Sequence, residues 1–258
     1  MRPSRVAVSV AVIAVLALAG CGGKSKKESS APPPPPKTTP SAAGSTASTP
    51  SGQTVALAVR VTPPKAGSAA TVTYAALIAS RTGAKPAPVD QITFRAQSGF
   101  KLNADKFPTC SAAKLKAGHA SACAKAKVGD GSAQVVPPKG KRIASKISTF
   151  NGGVHGSRTT LLYLVETPGY SPLTAAATVE KSSGGQWGYS ITYPPISKAL
   201  PLAALQLRTL DRTVKSGGKT VHFIETPSSC GGSWKFDSHV SFRSGEKLTI
   251  PATTNCSS

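Results

Sequence analysis

The chain has 258 residues, ample for a buried core, and sets 31 Lys and Arg against 10 Asp and Glu for a formal charge of +21. So strong a positive balance points to polyanionic partners and says nothing of fold. Acids are too sparse to suggest paired-carboxylate chemistry, for which a pair such as Glu166 and Glu180 would have to meet from distant segments.

Arg2 and Arg5 open the chain, and an apolar run broken only by Ser9 extends from Val6 to Ala19, with Gly20 and Cys21 behind it. A basic start, an apolar run and small residues before a cut are the parts of a secretory signal. At about 15 residues the run is shorter than the roughly 20 that span a bilayer. With Cys21 directly after Leu18-Ala19-Gly20, the segment resembles the bacterial lipoprotein signal, or lipobox. That resemblance implies a diacylglyceryl thioether on Cys21, cleavage after Gly20, acylation of the new amine, and a chain held by membrane lipid on the extracytoplasmic face of the cell membrane. The signal peptide is then residues 1–20.

Residues 21–53 form a Pro/Ser/Thr/Ala-rich linker that includes five prolines from Pro32 to Pro36. No apolar periodicity appears there, so the stretch cannot bury enough surface to offset its ordering entropy, and a disordered tether is expected. Some ~30 such residues hold a domain roughly 30 to 100 Å from the membrane, depending on how extended they are.

Alternation of apolar and polar residues begins at Thr54, with Val55, Leu57, Val59 and Val61 on one side, and it returns along the rest of the chain. Later instances are Val72-Tyr74-Ala76-Ile78, Ile92-Phe94, Ala175-Ala177-Val179, Trp187-Tyr189-Ile191-Tyr193, Leu205-Leu207, Val221-Phe223 and Trp234-Phe236-Ser238-Val240-Phe242. Period two means strands with one buried face. Thr159 to Val165 is apolar on both faces, as a central strand should be. Hairpins are expected around Gly184-Gly185 and Gly217-Gly218. The helical stretch is Ser111 to Ala117, with Thr109 or Ser111 as N-cap and Gly118 as terminator. Many short strands with one short helix predict an antiparallel β-sandwich, immunoglobulin-like or jelly-roll-like, over residues 54–258. A split into two subdomains would fall near residues 150–156, where Gly152-Gly153 interrupts the pattern.

Four cysteines follow Cys21: Cys110, Cys123, Cys230 and Cys256. An even number in an exported chain reads as two disulfides. Three pairings exist, and proximity favours Cys110 with Cys123 and Cys230 with Cys256. Neither pair has the close spacing of a structural zinc site, so no metal is expected, nor any cofactor. The segments around these cysteines, Phe107-Pro108-Thr109-Cys110 with Lys127-Val128-Gly129-Asp130-Gly131, and Thr226-Pro227-Ser228-Ser229-Cys230 with Trp234-Lys235-Phe236, resemble uncharacterised secreted and lipid-anchored proteins of high-GC Gram-positive bacteria. This chain has Ala124 where a proline commonly follows the second cysteine of those proteins. The resemblance implies a surface-exposed β-rich domain and nothing catalytic.

No nucleophile elbow and no metal-binding histidine array is present. Of the four histidines, His119 lies between Cys110 and Cys123, His155 in a Gly-rich turn, and His222 and His239 on strands; each reads as structural. Cys230 has no histidine beside it to act as base, and oxidation would remove its nucleophile. No catalytic residue is therefore assigned.

Removing Arg2 and Arg5 with the signal lowers the charge from +21 to +19. Lys114, Lys116, Lys125, Lys127, Lys139, Lys141, Arg142 and Lys146 crowd a segment with a single acid, Asp130. For an exported chain the polyanions within reach are wall polymers and phospholipid headgroups, and nucleic acid is not an expected partner. The expectation is an envelope-anchored binding or structural module with an anion-binding face on these eight cations. The alternatives are an envelope-modifying enzyme with a loop-assembled site and a solute-binding lipoprotein; a concave pocket with convergent polar groups would favour either, a flat basic face the first reading.

Overall fold

The structure is a computed structural model that describes residues 44–258 apart from His119, Ser183 and residues 195–199. The signal, Cys21 and most of the linker lie outside the described residues, as does His119. Along the chain come β1 (Ser45–Ser48), β2 (Gln53–Thr62), β3 (Thr71–Ser80) and β4 (Val89–Gln97). A crossing segment follows, with β5 (Lys101–Leu102), a 3-10 turn at Ala104–Lys106, α1 (Ala112–Gly118) and a second 3-10 turn at Ser121–Ala126. Then come β6 (Lys127–Val135), β7 (Ile143–His155), β8 (Arg158–Glu166), β9 (Leu173–Lys181), β10 (Trp187–Tyr193) and β11 (Leu202–Thr209). The last strands are β12 (Thr213–Ser216), β13 (Lys219–His222), β14 (Ile224–Glu225), β15 (Ser233–Phe242) and β16 (Lys247–Asn255).

The fold is mainly antiparallel β as expected, but it is not a sandwich. Twelve strands form one sheet in the order β1-β2-β3-β11-β6-β7-β8-β9-β10-β4-β15-β16, and it curls until its two edges nearly meet. Thr254 Oγ1 on β16 donates to the Val59 carbonyl on β2 at 2.6 Å, and Ser45 Oγ on β1 donates to the Pro251 carbonyl. One end of the seam is tied by Ser51, whose N–H and hydroxyl both reach Glu246. The other end is tied where Ser257 N–H donates to Pro64 at 2.8 Å and Ala66 N–H donates to Ser257 at 2.9 Å. A sandwich and a barrel bury the same face of each strand, so alternation alone cannot separate them; the closing contacts between β2 and β16 decide it. Near-closure also covers sheet edges that would otherwise invite pairing with other chains.

The alternating residues point inward as their period demands: Val55, Leu57, Val59 and Val61 are all buried, as are Tyr74, Ala76 and Ile78. A run of aromatic contacts crosses the interior from Tyr74 to Phe94 at 5.1 Å between centroids, Phe94 to Phe236 at 5.7 Å, Phe236 to Phe100 at 5.5 Å and Phe100 to Trp234 at 5.5 Å. Charged residues such as Arg60, Lys146, Glu180 and Lys235 stand exposed on the outside. That is the reverse of a barrel that spans a membrane, whose outward band is apolar. No helix among the described residues is long and apolar enough to cross one.

Three boundaries differ from expectation. The sheet begins at β1, inside the stretch read as linker, because Ser45–Ser48 pairs along β2 despite its short, polar sequence. Gly152-Gly153 does not divide the chain; β7 runs through it as a bulge, with Gly153 at φ 99°. The Gly217-Gly218 turn does make a hairpin, but a small one between β12 and β13, while β11 pairs with β3 and β6 in the main sheet.

Candidate functional site

Both disulfides pair as proximity suggested, Cys110 with Cys123 and Cys230 with Cys256, at Cα separations of 5.6 and 5.8 Å. The first closes a cap on the outside of the barrel. Ser111 is the helix N-cap, its hydroxyl accepting from Lys114 N–H at 3.2 Å, which frees α1 to start at Ala112. Leu115 then points down onto Phe150, Leu162 and Leu164 between the two half-cystines. This explains why β8 is buried on both faces: Leu161, Tyr163 and Val165 face the interior, Leu162 and Leu164 the cap.

Asn151, fully buried on β7, is the hinge pin of the cap and escaped sequence reasoning. Its amide nitrogen donates to the carbonyls of Ala104, Phe107 and Pro108 at 2.9–3.2 Å, its oxygen accepts from Gly153 N–H, and its own carbonyl accepts from Cys110 N–H. The signal present in the sequence is an Asn beside two glycines.

The eight cations are split by the fold. Lys114, Lys116 and Lys125 are exposed on the cap, with Lys127 half-buried where the cap enters β6. Lys139, Lys141 and Arg142 sit on the β6–β7 turn, at the far end of a nine-residue strand and so about 26 Å away at 3.3 Å per residue. Lys146 lies opposite Glu166 across β7–β8. The one acid of the segment, Asp130, is held by Arg208 through two bonds of 3.1 and 2.9 Å. No ion pair involves Lys114, Lys116, Lys125 or Lys127 among the described residues. Close backbones set this corner: a Cβ on Gly129 would lie 2.8 Å from the Arg208 carbonyl, and one on Gly131 2.2 Å from that of Gln206.

The residues weighed for catalysis do not converge. Glu180 pairs with Arg158 at 2.9 Å, while Glu166 lies at the opposite end of β8 from Arg158. His155 is exposed in the β7–β8 turn, and His222 bonds Asp211 at 3.1 Å. Cys230 is oxidised. The face that carries Asp237 and His239 is less solvated than alternation implied. Asp237 is only 4% exposed, gripped by both nitrogens of an Arg95 fork that also stacks over Trp187 at 4.7 Å. Thr249 Oγ1 lies 3.0 Å from His239 Nδ1, and His239 Nε2 lies 3.6 Å from Asp237, an order of groups found in hydrolases. Here the carboxylate is spent on Arg95 and the hydroxyl sits on an open strand face, so the cluster reads as a buried ion pair on the outer wall. No group of three or more metal-ligating side chains occurs among the described residues.

The interior also contains space. An apolar cavity of about 100 Å³ lies inside one end of the barrel, beneath the ribbon formed by β5 and β14.

No family model, curated protein or solved structure matches the chain. Around the second disulfide, Thr226 Oγ1 donates to Lys65 and accepts from Ser68 N–H, and Trp234, wholly buried, donates to Ser229.

Proposed function

We propose that this chain is a lipid-anchored module of the cell envelope, held at the extracytoplasmic face of the membrane through Cys21, that binds phosphate-bearing anions with its stapled cap. The observation that carries the reading is the fate of Asp130: Arg208 occupies it, leaving Lys114, Lys116, Lys125 and Lys127 on one small unit, paired to no carboxylate among the described residues. Like charges held on a short covalent loop repel one another, and a polyanion relieves that repulsion. Lipid headgroups and wall polymers share this chemistry.

The test uses the mature chain, residues 21–258 carrying Cys21→Ala, so that binding is forced neither by the anchor nor by the apolar run before it. At low ionic strength it should bind vesicles of anionic phospholipid or purified wall polymer, and release them as salt rises. Converting Lys114, Lys116, Lys125 and Lys127 to Gln should weaken binding far more than converting Lys139, Lys141, Arg142 and Lys146, an equal loss of charge. Equal effects would reduce the patch to net charge, and no binding would end the proposal. The two probes distinguish lipid from polymer. Anchoring is checked separately: Cys21→Ala should leave the membrane fraction or persist as uncut precursor.

A further inference from the structure

We propose that the barrel interior is a binding site for a single neutral alkyl chain. The cavity runs inward from a rim at Lys101 and Arg208 and is walled by residues such as Phe94, Phe236, Leu161 and Val179. Its volume of about 100 Å³ is well beyond that of a chance packing defect and approaches that of the engineered apolar cavities, roughly 150 Å³, that take up benzene. The shape favours a chain over a ring. A second void of about 10 Å³ shares Tyr163, Tyr193 and Leu207 with the first and reaches on to Val165 and Ile147. Leu161, Tyr163 and Val165 alternate along β8, so the two voids are strung along the strand with the tyrosines between them.

The chemistry of the walls fixes what can enter. Lys101 and Arg208 are the charged residues that line the cavity, and both stand at the rim, paired with Glu225 at 3.4 Å and Asp130 at 2.9 Å. Their charges cancel locally, so the rim offers no net attraction to an ionic head. Deeper in, the polar atoms are those of phenols and of Thr149 and Thr209: Tyr74 bonds Ser238 at 3.2 Å, Tyr163 and Tyr193 bond each other, Tyr189 accepts from Leu102 N–H, and Thr209 Oγ1 accepts from Val72 N–H at 2.8 Å. Burial keeps the first three protonated far above neutral pH. A charge carried into this space would lose its hydration with nothing to replace it. An alkyl chain would instead remove apolar wall from water at about 25 cal/mol per Å². The occupant is therefore a lipid-derived alkyl chain whose polar end stays at the rim, under the β5–β14 ribbon that Asn103 ties down through the His222 carbonyl at 2.8 Å.

Titration of the mature chain, residues 21–258 carrying Cys21→Ala and purified without detergent, with 1-hexanol is the test. One hexanol should bind per chain and raise the thermal midpoint, whereas hexanedioate, charged at both ends, should not bind. Leu161→Trp, which fills the cavity, should weaken hexanol at least tenfold, and Leu77→Ala on the outer face should not. Equal binding of hexanol and hexanedioate, equal binding by wild type and a folded Leu161→Trp, or no binding by wild type would each overturn the proposal. Should Leu161→Trp fail to fold, nuclear Overhauser contacts in the wild type decide: alkyl protons must reach the Tyr163 and Tyr193 rings, and contacts confined to the surface would refute it. Binding to anionic vesicles does not enter these outcomes, so this site and the basic cap stand or fall separately.

Discussion

The barrel interior and the stapled cap bury apolar side chains on opposite faces of the same strand, β8, and are held by different means. Inside, Leu161, Tyr163 and Val165 join a core drawn from nearly every strand of the main sheet, large enough to keep its shape around a cavity. Outside, Leu162 and Leu164 join a small cluster with Leu115, Phe150, Ala126 and the two half-cystines, with Ala120 packed at its edge. A seven-residue helix is below the length at which helices persist in water. Its small core must therefore be helped by a covalent loop and by the Asn151 bonds, whereas the barrel relies on area. The difference teaches which region can carry a void and which can carry a cluster of like charges.

The largest expected effect is in the barrel. Phe236 packs against both Phe94 and Phe100 and borders the cavity, so truncation to Ala enlarges a space that already fails to collapse. Phe236→Ala should cost about 3–5 kcal/mol and lower the urea midpoint of the whole sheet. A loss below about 1 kcal/mol would show that the interior is not the main source of stability, and the contrast with the cap would fail.

Next comes the staple. Replacing Cys110 and Cys123 together by Ala releases a loop with a sequence separation of 13, for which the chain-entropy account gives about 3 kcal/mol. The loss should be local. Amide exchange should speed up over residues 112–126 while β15 and β16 keep their protection, because the bonds that tie the seam, such as Thr254 to Val59 and Ser51 to Glu246, are made without cap residues. Global unfolding at the same midpoint as the cap would mean that the two regions are one cooperative unit.

How far the sequence foretold this contrast depends on the range of the interaction. The strands, the Ser111 cap and both disulfides were legible because alternation, capping and close cysteine spacing act within a few residues or one loop. The dual burial of β8 was legible in Thr159 to Val165, though not its reason, since the outer cover is the cap rather than a second sheet. Closure of the barrel was not legible, because it depends on contacts such as Thr254 with Val59 that span nearly the whole domain. Nor was the parting of the eight cations: Lys127 and Lys139 are near in sequence, but an extended β6 holds them apart. The cavity is a property of packing among six or more strands and leaves no periodic trace.

Alkali should separate the two regions by chemistry. Tyr74, Tyr163 and Tyr193 are buried in the barrel, and no tyrosine lies between Asn103 and Lys127. Burial pushes the Tyr74 phenol from 10.0 up to about 12, and it raises Tyr193 and, aided by Tyr193, Tyr163. In the unfolded chain these phenols lose their protons near the ordinary value, so above it the unfolded state holds fewer protons than the folded one and stability falls as pH rises. For Tyr74 the loss is about 1.4 kcal/mol per pH unit through that window, and it is absent below it. Denaturant titrations should show flat stability up to the ordinary phenol range and a steep decline beyond. Tyr74→Phe should make the decline shallower, and an unchanged slope in that variant would mean that Tyr74 does not ionise on unfolding as its burial requires.

The smallest effect on stability lies where barrel and cap meet. The Arg208–Asp130 pair is half-exposed at the rim, with side-chain accessibilities of 51% and 34%, so solvent screens it and its removal should change stability by only about 0.2–1 kcal/mol. Its effect on binding should be easier to see. Arg208→Gln leaves Asp130 uncompensated three residues beyond Lys127, about 10 Å along β6 and within a screening length at low salt. The freed carboxylate then draws on the cap lysines, and affinity for anionic vesicles should fall with a shallower salt dependence. Adding Asp130→Asn restores the wild-type net charge at this corner without restoring the bond. Recovery of binding in the double variant would show that Arg208 serves the cap by masking an acid. If the single variant binds like the wild type, the cap is indifferent to Asp130, and the observation on which its assignment rests is lost.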